Sequence, residues 1–531
     1  MRCFVLIITA LPDSSSIAAN GTELQMAASM IDLIGVMTIE ERARAGLDVY
    51  RSFAGVDSRT LNAYSAPGHG QKVAAGSDQS PFGLDWLREF ERAFDAEDVA
   101  HGQVHHAQKN AALADAFAPL VVPAVRDILQ GLEQAPFATD MEAIGADIAD
   151  TIYTKLFAMS SRALVLEMAA AQSTGLLQGD TPQDRFWYFT TCLRNPEFAR
   201  LVLMQYPMLV RQATIVVRHC RDSLMEFAER LILDAPEVTR LLSPGHATGP
   251  LTRLRLSAGD THRRGRGVII SEFAGGEQKV VYKPRSLTAD RCFGDLLSWL
   301  NKHGLKPQLE SPRIIERENY GWVEHVAPAH CKDAREVGLF YRRQGVNVAL
   351  VYFLKGTDLH SENIIAAGSH PILVDLEALF HPTFGPSATT TATGAVQRAI
   401  EWSAVATGIL PVRPPRATRD DEWLDMSGMS GAEERRVPFE LPVWVNFDSD
   451  EMRMKSEVTT LGPDSNLPIL NGVRTGPSFY AEAIVEGFTN AYELVCANRD
   501  ALLRSDGPLT AFSDIEVRVI ARNTARYEQI I

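Results

Sequence analysis

The stretch Gly356 to Phe380, GTDLHSENIIAAGSHPILVDLEALF, carries Asp358, His360 and Asn363 close together, and Asp375 directly after the strand-like Pro371-Ile372-Leu373-Val374. A short apolar run bounded by turn residues reads as a strand, and a strand end can deliver a carboxylate to a site. Asp-x-His-x-x-Asn offers a proton acceptor at Asp358 and an amide oxygen at Asn363 suited to a hard cation. Phosphoryl transfer from ATP needs parts of this kind: a Lys on the phosphates, carboxylate and amide oxygens on magnesium, and an Asp taking the proton of the attacking hydroxyl.

The lysine has a candidate upstream. Lys283 ends Val280-Val281-Tyr282-Lys283, where strand alternation can turn its ammonium toward an interlobe cleft. The competing reading is a snorkelling surface lysine on an edge strand. His360 reads either as a polar anchor of the loop or as a phosphate contact. Asp and Asn also favour caps and turns, which explains each residue singly but not their order along the chain. An ordinary protein kinase is disfavoured. The helix after Lys283 carries Asp290 and Asp295 but no Glu to pair with the lysine, and only Gly275-Gly276 stands where a Gly-x-Gly-x-x-Gly loop would be.

Outward from the motif, the pattern is α+β. Residues 1–81 are poorly assignable, and residues 82–242 read as a helical region with apolar residues at helical spacing in Leu224, Phe227, Ala228 and Leu231. A Pro/Gly-punctuated linker at 243–250 follows, and then a change of period. Residues 268–273 and 279–285 read as a hairpin. Phe293, Leu296, Leu297 and Leu300 mark an amphipathic helix, and 314–316 with 322–326 read as a second hairpin. Strand pair, helix, strand pair is how the small lobe of a kinase-like fold begins, so residues 251–531 are expected to form a two-lobed kinase-like core. Residues 384–440, rich in Thr, Pro, Gly and charge, are expected to be a mobile insertion.

At 531 residues the chain is long enough for two or three domains. With 46% hydrophobic and 22% charged residues it has the balance of a globular protein rather than a disordered one. The net charge of -14 repels nucleic acid and anionic membrane. The six cysteines form no Cys-x-x-Cys pair and lie at no zinc-site spacing from histidine, so reduced thiols and no zinc are expected. No run reaches the roughly 18 apolar residues of a membrane span. Residues 3–11 read as a buried strand or an over-extended start, with a signal-peptide core as the alternative. A need for ATP argues for the cytoplasm.

Taken together, these segments resemble the dehydratase domain of class II lanthipeptide synthetases, the LanM type. The resemblance rests on Gly259-Asp260-Thr261-His262 with Gly265-Arg266, on Val281-Tyr282-Lys283-Pro284-Arg285-Ser286-Leu287, and on residues 356–380. Further matches are Gly179-Asp180-Thr181-Pro182-Gln183-Asp184-Arg185-Phe186 with Tyr206-Pro207, Thr407-Gly408-Ile409-Leu410-Pro411, and the terminal stretch from Arg518 to Tyr527, so that the resemblance covers roughly residues 150–531.

The resemblance implies a lipid-kinase-like fold and an enzyme that uses ATP and Mg2+ to phosphorylate Ser and Thr of a ribosomally made precursor peptide. The phosphate is then eliminated to leave dehydroalanine or dehydrobutyrine. It also implies roles: Lys283, Asp358, His360, Asn363 and Asp375 in phosphorylation, Asp260 and His262 as a further polar pair, and Arg518 with Thr524 in elimination. Elimination needs a base near the Cα and a cation on the departing oxygens, and a guanidinium fork suits the latter. Without the resemblance, Arg518, Arg522 and Arg526 read as a helix-surface stripe, and Arg518 lies six residues before Thr524, off one helical face.

Full-length members of that family carry a C-terminal cyclase domain with a zinc site, whereas this chain ends at Ile531. The expectation is therefore a truncated dehydratase that leaves thioether closure to a separate cyclase. Two alternatives stay open: a kinase-like phosphotransferase for a small molecule or lipid, which leaves a stable phosphorylated product, and an inactive peptide-binding fragment.

Overall fold

The computed structural model describes residues 85–95, 109–242, 248–256, 264–382, 392–411, 424–432 and 434–520. The readings of residues 1–81, Asp260, His262, the Thr-rich run through 391, the charged run 416–422, Arg522, Thr524 and Arg526 fall outside them. The described residues mix helix and strand. They divide into two compact units, one of Met1–Pro236, His246–Gln278 and Leu441–Glu457, the other of Glu237–Gly245, Lys279–Glu440 and Val458–Ile531.

The first unit is mainly helical: α1 (Asp85–Asp95), α2 (Ala118–Leu132), α3 (Met141–Ser173), α4 (Pro182–Leu193), α5 (Pro196–Leu203) and α6 (Pro207–Leu233), with α7 (Ala235–Leu242) beginning at its edge. Local chemistry sets the starts. Asp140 and Asn195 accept the N–H of Ala143 and Phe198, and Pro opens α4, α5 and α6. The stripe Leu224, Phe227, Ala228 and Leu231 is core, joined there by Phe90, Phe117, Phe189 and Phe198.

The motif at 179–186 is structural here. Thr181 and Asp184 form a reciprocal capping box, and Gly179 takes φ +133° where a Cβ would meet Asp184 Cβ at 2.5 Å. Arg185 Nε lies 2.6 Å from Asp450 Oδ2 within the same unit, and the Tyr206 hydroxyl donates to Glu167 at 2.6 Å.

Two strands belong to this unit as well. β1 (Leu251–Leu256) pairs antiparallel with β2 (Ile269–Phe273). Asp147 of α3 fixes β1 by accepting the Leu254 N–H (2.9 Å) and the Arg253 guanidinium (2.6 Å). The unit boundary therefore falls between Gln278 and Lys279, inside the segment expected to form a hairpin, although strands form at both expected places.

The second unit opens with β3 (Gln278–Lys283) and α8 (Thr288–Lys302), whose Phe293, Leu296, Leu297 and Leu300 are all buried as their spacing predicts. β4 (Ile314–Glu316) and β5 (Gly321–Glu324) pair antiparallel, and β5 also pairs with β3 so that Lys283 faces Gly321. β6 (His330–Cys331) leads into α9 (Ala334–Phe353), capped by Asp333. The hairpin β7 (Ile364–Ala367) and β8 (His370–Leu373) follows, then α10 (Ala392–Glu401). The ribbon β9 (Arg435–Val445) and β10 (Arg453–Leu461) is divided between the units, and β11 (Ile469–Leu470), β12 (Val473–Arg474), α11 (Ala481–Ala497) and α12 (Arg499–Leu503) complete the second.

Its core runs from α8 through α9 to the C-terminal helices, with Val346, Leu350, Leu354, Leu359, Ile364, Leu373 and Leu376 in one cluster. None of the helices among the described residues is long and apolar enough to cross a membrane. The five described cysteines are unbridged, four of them buried.

Glycine lets α9 and α11 touch backbone to backbone. A Cβ on Gly345 would overlap the Ile484 carbonyl oxygen, and one on Gly487 would overlap that of Arg342. Overpacking of this kind costs about 1–3 kcal/mol or more. Gly338, also in α9, has no neighbour nearer than Tyr480 at 4.0 Å, and Ala is favoured over Gly in a helix by about 1 kcal/mol. Gly345→Ala and Gly487→Ala should therefore lower the melting temperature in thermal denaturation, while Gly338→Ala leaves it unchanged or raises it.

Candidate functional site

All described candidate residues fall in the second unit, and the β7–β8 hairpin explains their proximity. Its register pairs Ile364 with Leu373, and one step further the Val374 N–H donates to the Asn363 carbonyl at 3.0 Å. Asn363 and Asp375 thus both stand just beyond the open end of the hairpin, because the chain between them folds back through a turn in which Gly368 takes φ +62°.

Asp358 is held in an uncommon conformation, φ +68°. Asp tolerates this region better than most residues, and the surroundings over-determine it. Asn363 Nδ2 donates to the Asp358 carbonyl at 2.8 Å, and the Leu359 N–H donates to the Thr407 carbonyl at 3.1 Å. Gly408 (φ +81°) and Gly428 close the back of the loop, where a Cβ would lie 2.9 Å from Leu359 N and 2.8 Å from Leu359 O respectively. Asn466, fully buried, donates to the Gly428 and Ser430 carbonyls. Within the stretch read from sequence as a mobile insertion, Thr407 and Met426 accept backbone N–H groups of this loop, and Gly408 and Gly428 pack against it.

His360 caps the short turn 361–363 by accepting the Glu362 N–H at Nδ1. Its Nε2 lies 4.0 Å from Asp358 Oδ1 and 3.4 Å from Asn363 Nδ2. Burial raises the Asp358 carboxyl above its usual range, with His360 and Arg518 drawing it partly back.

Lys283 is 7% exposed, which removes the surface-lysine reading. Its ammonium donates to the Val374 carbonyl and lies 3.9 Å from Asp290 Oδ1. Burial and the Arg285 charge pull it below the usual lysine range, against Asp290, Asp375 and Glu377.

Arg285 binds three carboxylates at once. It forks onto Asp290 (2.7 and 3.3 Å), reaches Asp375 Oδ1 (2.7 Å), and lies 3.4 Å from Glu377 Oε2. Burial alone would raise the Asp375 carboxyl, yet Arg285 and then Lys283 hold it below the usual range. Glu377 extends the chain of charges: Arg518 Nη1 lies 2.6 Å from its Oε1, and the Arg518 N–H donates to its carbonyl at 2.7 Å. Arg518 stands in a non-helical segment, so the helix-stripe reading does not hold at that residue. The backbone bond to Glu377 takes the place of helical pairing.

A hard cation fits what remains. Among the described residues no three His, Cys, Asp or Glu side chains converge to cage a metal. Asn363 Oδ1 and the second oxygen of Asp375 accept no hydrogen bond there. An amide oxygen and a carboxylate oxygen are donors that suit Mg2+, which prefers one or two protein ligands with water and phosphate oxygens to an all-protein cage.

A family model described as a domain of unknown function, DUF4135, matches residues 206–531, a span that includes every candidate residue from Asp260 to Thr524. The chain belongs to that family. DUF4135 is the dehydratase-region domain of LanM-type lanthipeptide synthetases. A similar protein is one from Lactococcus lactis subsp. lactis described as lacticin 481/lactococcin biosynthesis protein LcnDR2, 25% identical over 404 residues. The match covers 72% of this chain and 42% of that relative, so the chain spans less than half of the curated relative it matches.

Within this DUF4135 domain, sequence reasoning missed the parts Arg285, Asp290 and Glu377 play. Asp290 stands where a kinase pattern asks for Glu. The signal that could have found it is its spacing from Arg285, which lets an arginine span the gap that a short aspartate leaves to Lys283.

The environment of Asp358 has a thermodynamic consequence. A carboxyl whose folded pKa is raised weakens the fold once pH exceeds the unfolded value of about 4, and has no such effect below it. Asp358→Asn removes that penalty and keeps a residue tolerant of positive φ. Because the side chain is 38% exposed, the gain is small. We expect a melting temperature about 1–2 °C higher at pH 7.5, with the difference shrinking toward pH 3.5 in a pH series of thermal melts.

Proposed function

We propose that this chain is an ATP- and Mg2+-dependent peptide Ser/Thr dehydratase of lanthipeptide biosynthesis, built as a two-lobed kinase-like domain and working in the cytoplasm on a precursor peptide. The observation that carries the reading is the continuous ionic chain from Lys283 through Asp290, Arg285, Asp375 and Glu377 to Arg518, next to the braced Asp358. It joins the residues that phosphoryl transfer needs to the arginine that phosphate elimination needs. The family membership and the name of the Lactococcus relative support the same reading.

In the first step the substrate hydroxyl oxygen bonds to the γ-phosphorus of ATP while the bond to the β–γ bridging oxygen breaks. ADP leaves, and the hydroxyl proton passes to Asp358. Lys283 holds phosphate oxygens. Asn363 and Asp375 would hold Mg2+, whose charge offsets that of the phosphates. His360 keeps the loop in shape through its cap on Glu362. In the second step a base takes the Cα proton, the electron pair forms the Cα=Cβ bond, and the Cβ–O bond breaks to release phosphate onto Arg518. Asp260, His262 and Thr524 complete this reading by their match to the family motif.

Mass spectrometry of a class II precursor peptide after incubation with the chain and Mg-ATP tests the proposal. The wild type should remove one or more waters. Asp358→Asn should slow phosphorylation at least about a hundredfold, the scale of a lost general base. Arg518→Lys should leave peptide that carries phosphate. Phosphate stably retained by the wild-type product would favour a plain phosphotransferase. An unmodified peptide, with a full-length relative active in parallel, would contradict the proposal.

A further inference from the structure

Arg285 does more than neutralise one partner. It touches three acidic groups from two separate parts of the second unit: Asp290 in α8, and Asp375 and Glu377 in the segment after β8, of which Glu377 in turn carries Arg518. An aspartate at 290 is too short to close on Lys283 and stops at 3.9 Å, so on its own it would fix the lysine poorly. Arg285 takes both oxygens of Asp290 and sets its plane. The two cations share that carboxylate where they would otherwise repel each other.

With its remaining N–H groups Arg285 holds Asp375 by Oδ1, and the other oxygen accepts no hydrogen bond among the described residues. A planar guanidinium can satisfy several carboxylates at fixed angles, and an ammonium cannot. Leu287, two residues on, is fully buried, and a Cβ on the facing Gly321 would collide with its side chain. The turn that carries Arg285 is therefore packed in place.

We propose that Arg285 is the positioning residue of the site: through Asp290 it sets Lys283, and through Asp375 and Glu377 it keeps the phosphoryl-transfer residues and Arg518 in one arrangement. The catalytic consequence rests on the dehydratase reading, whereas the structural coupling does not.

Hydrogen exchange and kinetics on the full chain test the two parts separately. In Arg285→Gln, amide exchange should rise roughly tenfold not only at residues 284–290 but also at 373–379 and 516–520, with α9 unchanged. With precursor peptide, kcat should fall at least about a hundredfold while the KM for ATP moves less than about threefold. Arg285→Lys, which keeps the charge but not the fork, should recover less than about a tenth of the loss. Asp290→Asn should give the same exchange pattern in weaker form, and it serves if Arg285→Gln does not fold. Asp295→Asn on the same helix, an exposed partner of Arg291, should behave as wild type.

Exchange changes confined to 284–290, a kcat within about threefold of wild type, or full rescue by lysine would each overturn the proposal. If the wild type modifies no peptide at all, the dehydratase reading fails, and the exchange pattern alone decides the role of Arg285.

Discussion

The site depends on one guanidinium placed among three carboxylates. Burying charge is costly unless each group is paired, and removing one member of a buried pair costs roughly 3–5 kcal/mol because its partner is stranded. Arg285 satisfies Asp290, Asp375 and Glu377 together, and the strand β3 that leads to it also delivers Lys283. The lysine and the arginine, two residues apart, therefore arrive as a unit, and the acidic groups from distant parts of the chain gather on them. The low carboxyl range of Asp375 follows from that gathering, whereas burial and the neighbouring Arg285 charge lower the Lys283 ammonium against the pull of the carboxylates.

A second constraint is conformational. Asp358 keeps a positive φ only because Thr407, Gly408, Gly428 and Asn466 leave its loop no other course. Strain of this kind persists where the surroundings over-determine it. Here the bracing comes from Thr407 to Asn466, far downstream of Asp358, so the loop and its support form one structural element despite their separation in sequence.

Much of this was legible in the residues. Lys283, Asp358, Asn363 and Asp375 could be picked out because strands and turns announce themselves locally, and the amphipathic helix over α8 followed from the spacing of four buried apolar side chains. What could not be read was long-range pairing. Arg285 reads as the tail of a strand, and Asp290 stands where a kinase pattern asks for a glutamate. The stretch 384–440 reads as mobile because its Thr, Pro, Gly and charge content is that of a loop, and nothing in that pattern shows that Gly408 and Gly428 approach Leu359 closely. The motif at 179–186 shows the reverse case, a resemblance whose residues serve a helix cap and the Arg185–Asp450 ion pair.

In the proposed dehydratase Lys283 faces the phosphates of a bound nucleotide. An acyl-phosphate derivative of ATP, which acylates a lysine amine lying against the phosphates, tests it directly: after digestion, peptide mapping should find the label on Lys283, and an excess of Mg-ATP should abolish it. Labelling of exposed lysines only, or labelling of Lys283 that Mg-ATP does not suppress, would contradict the account.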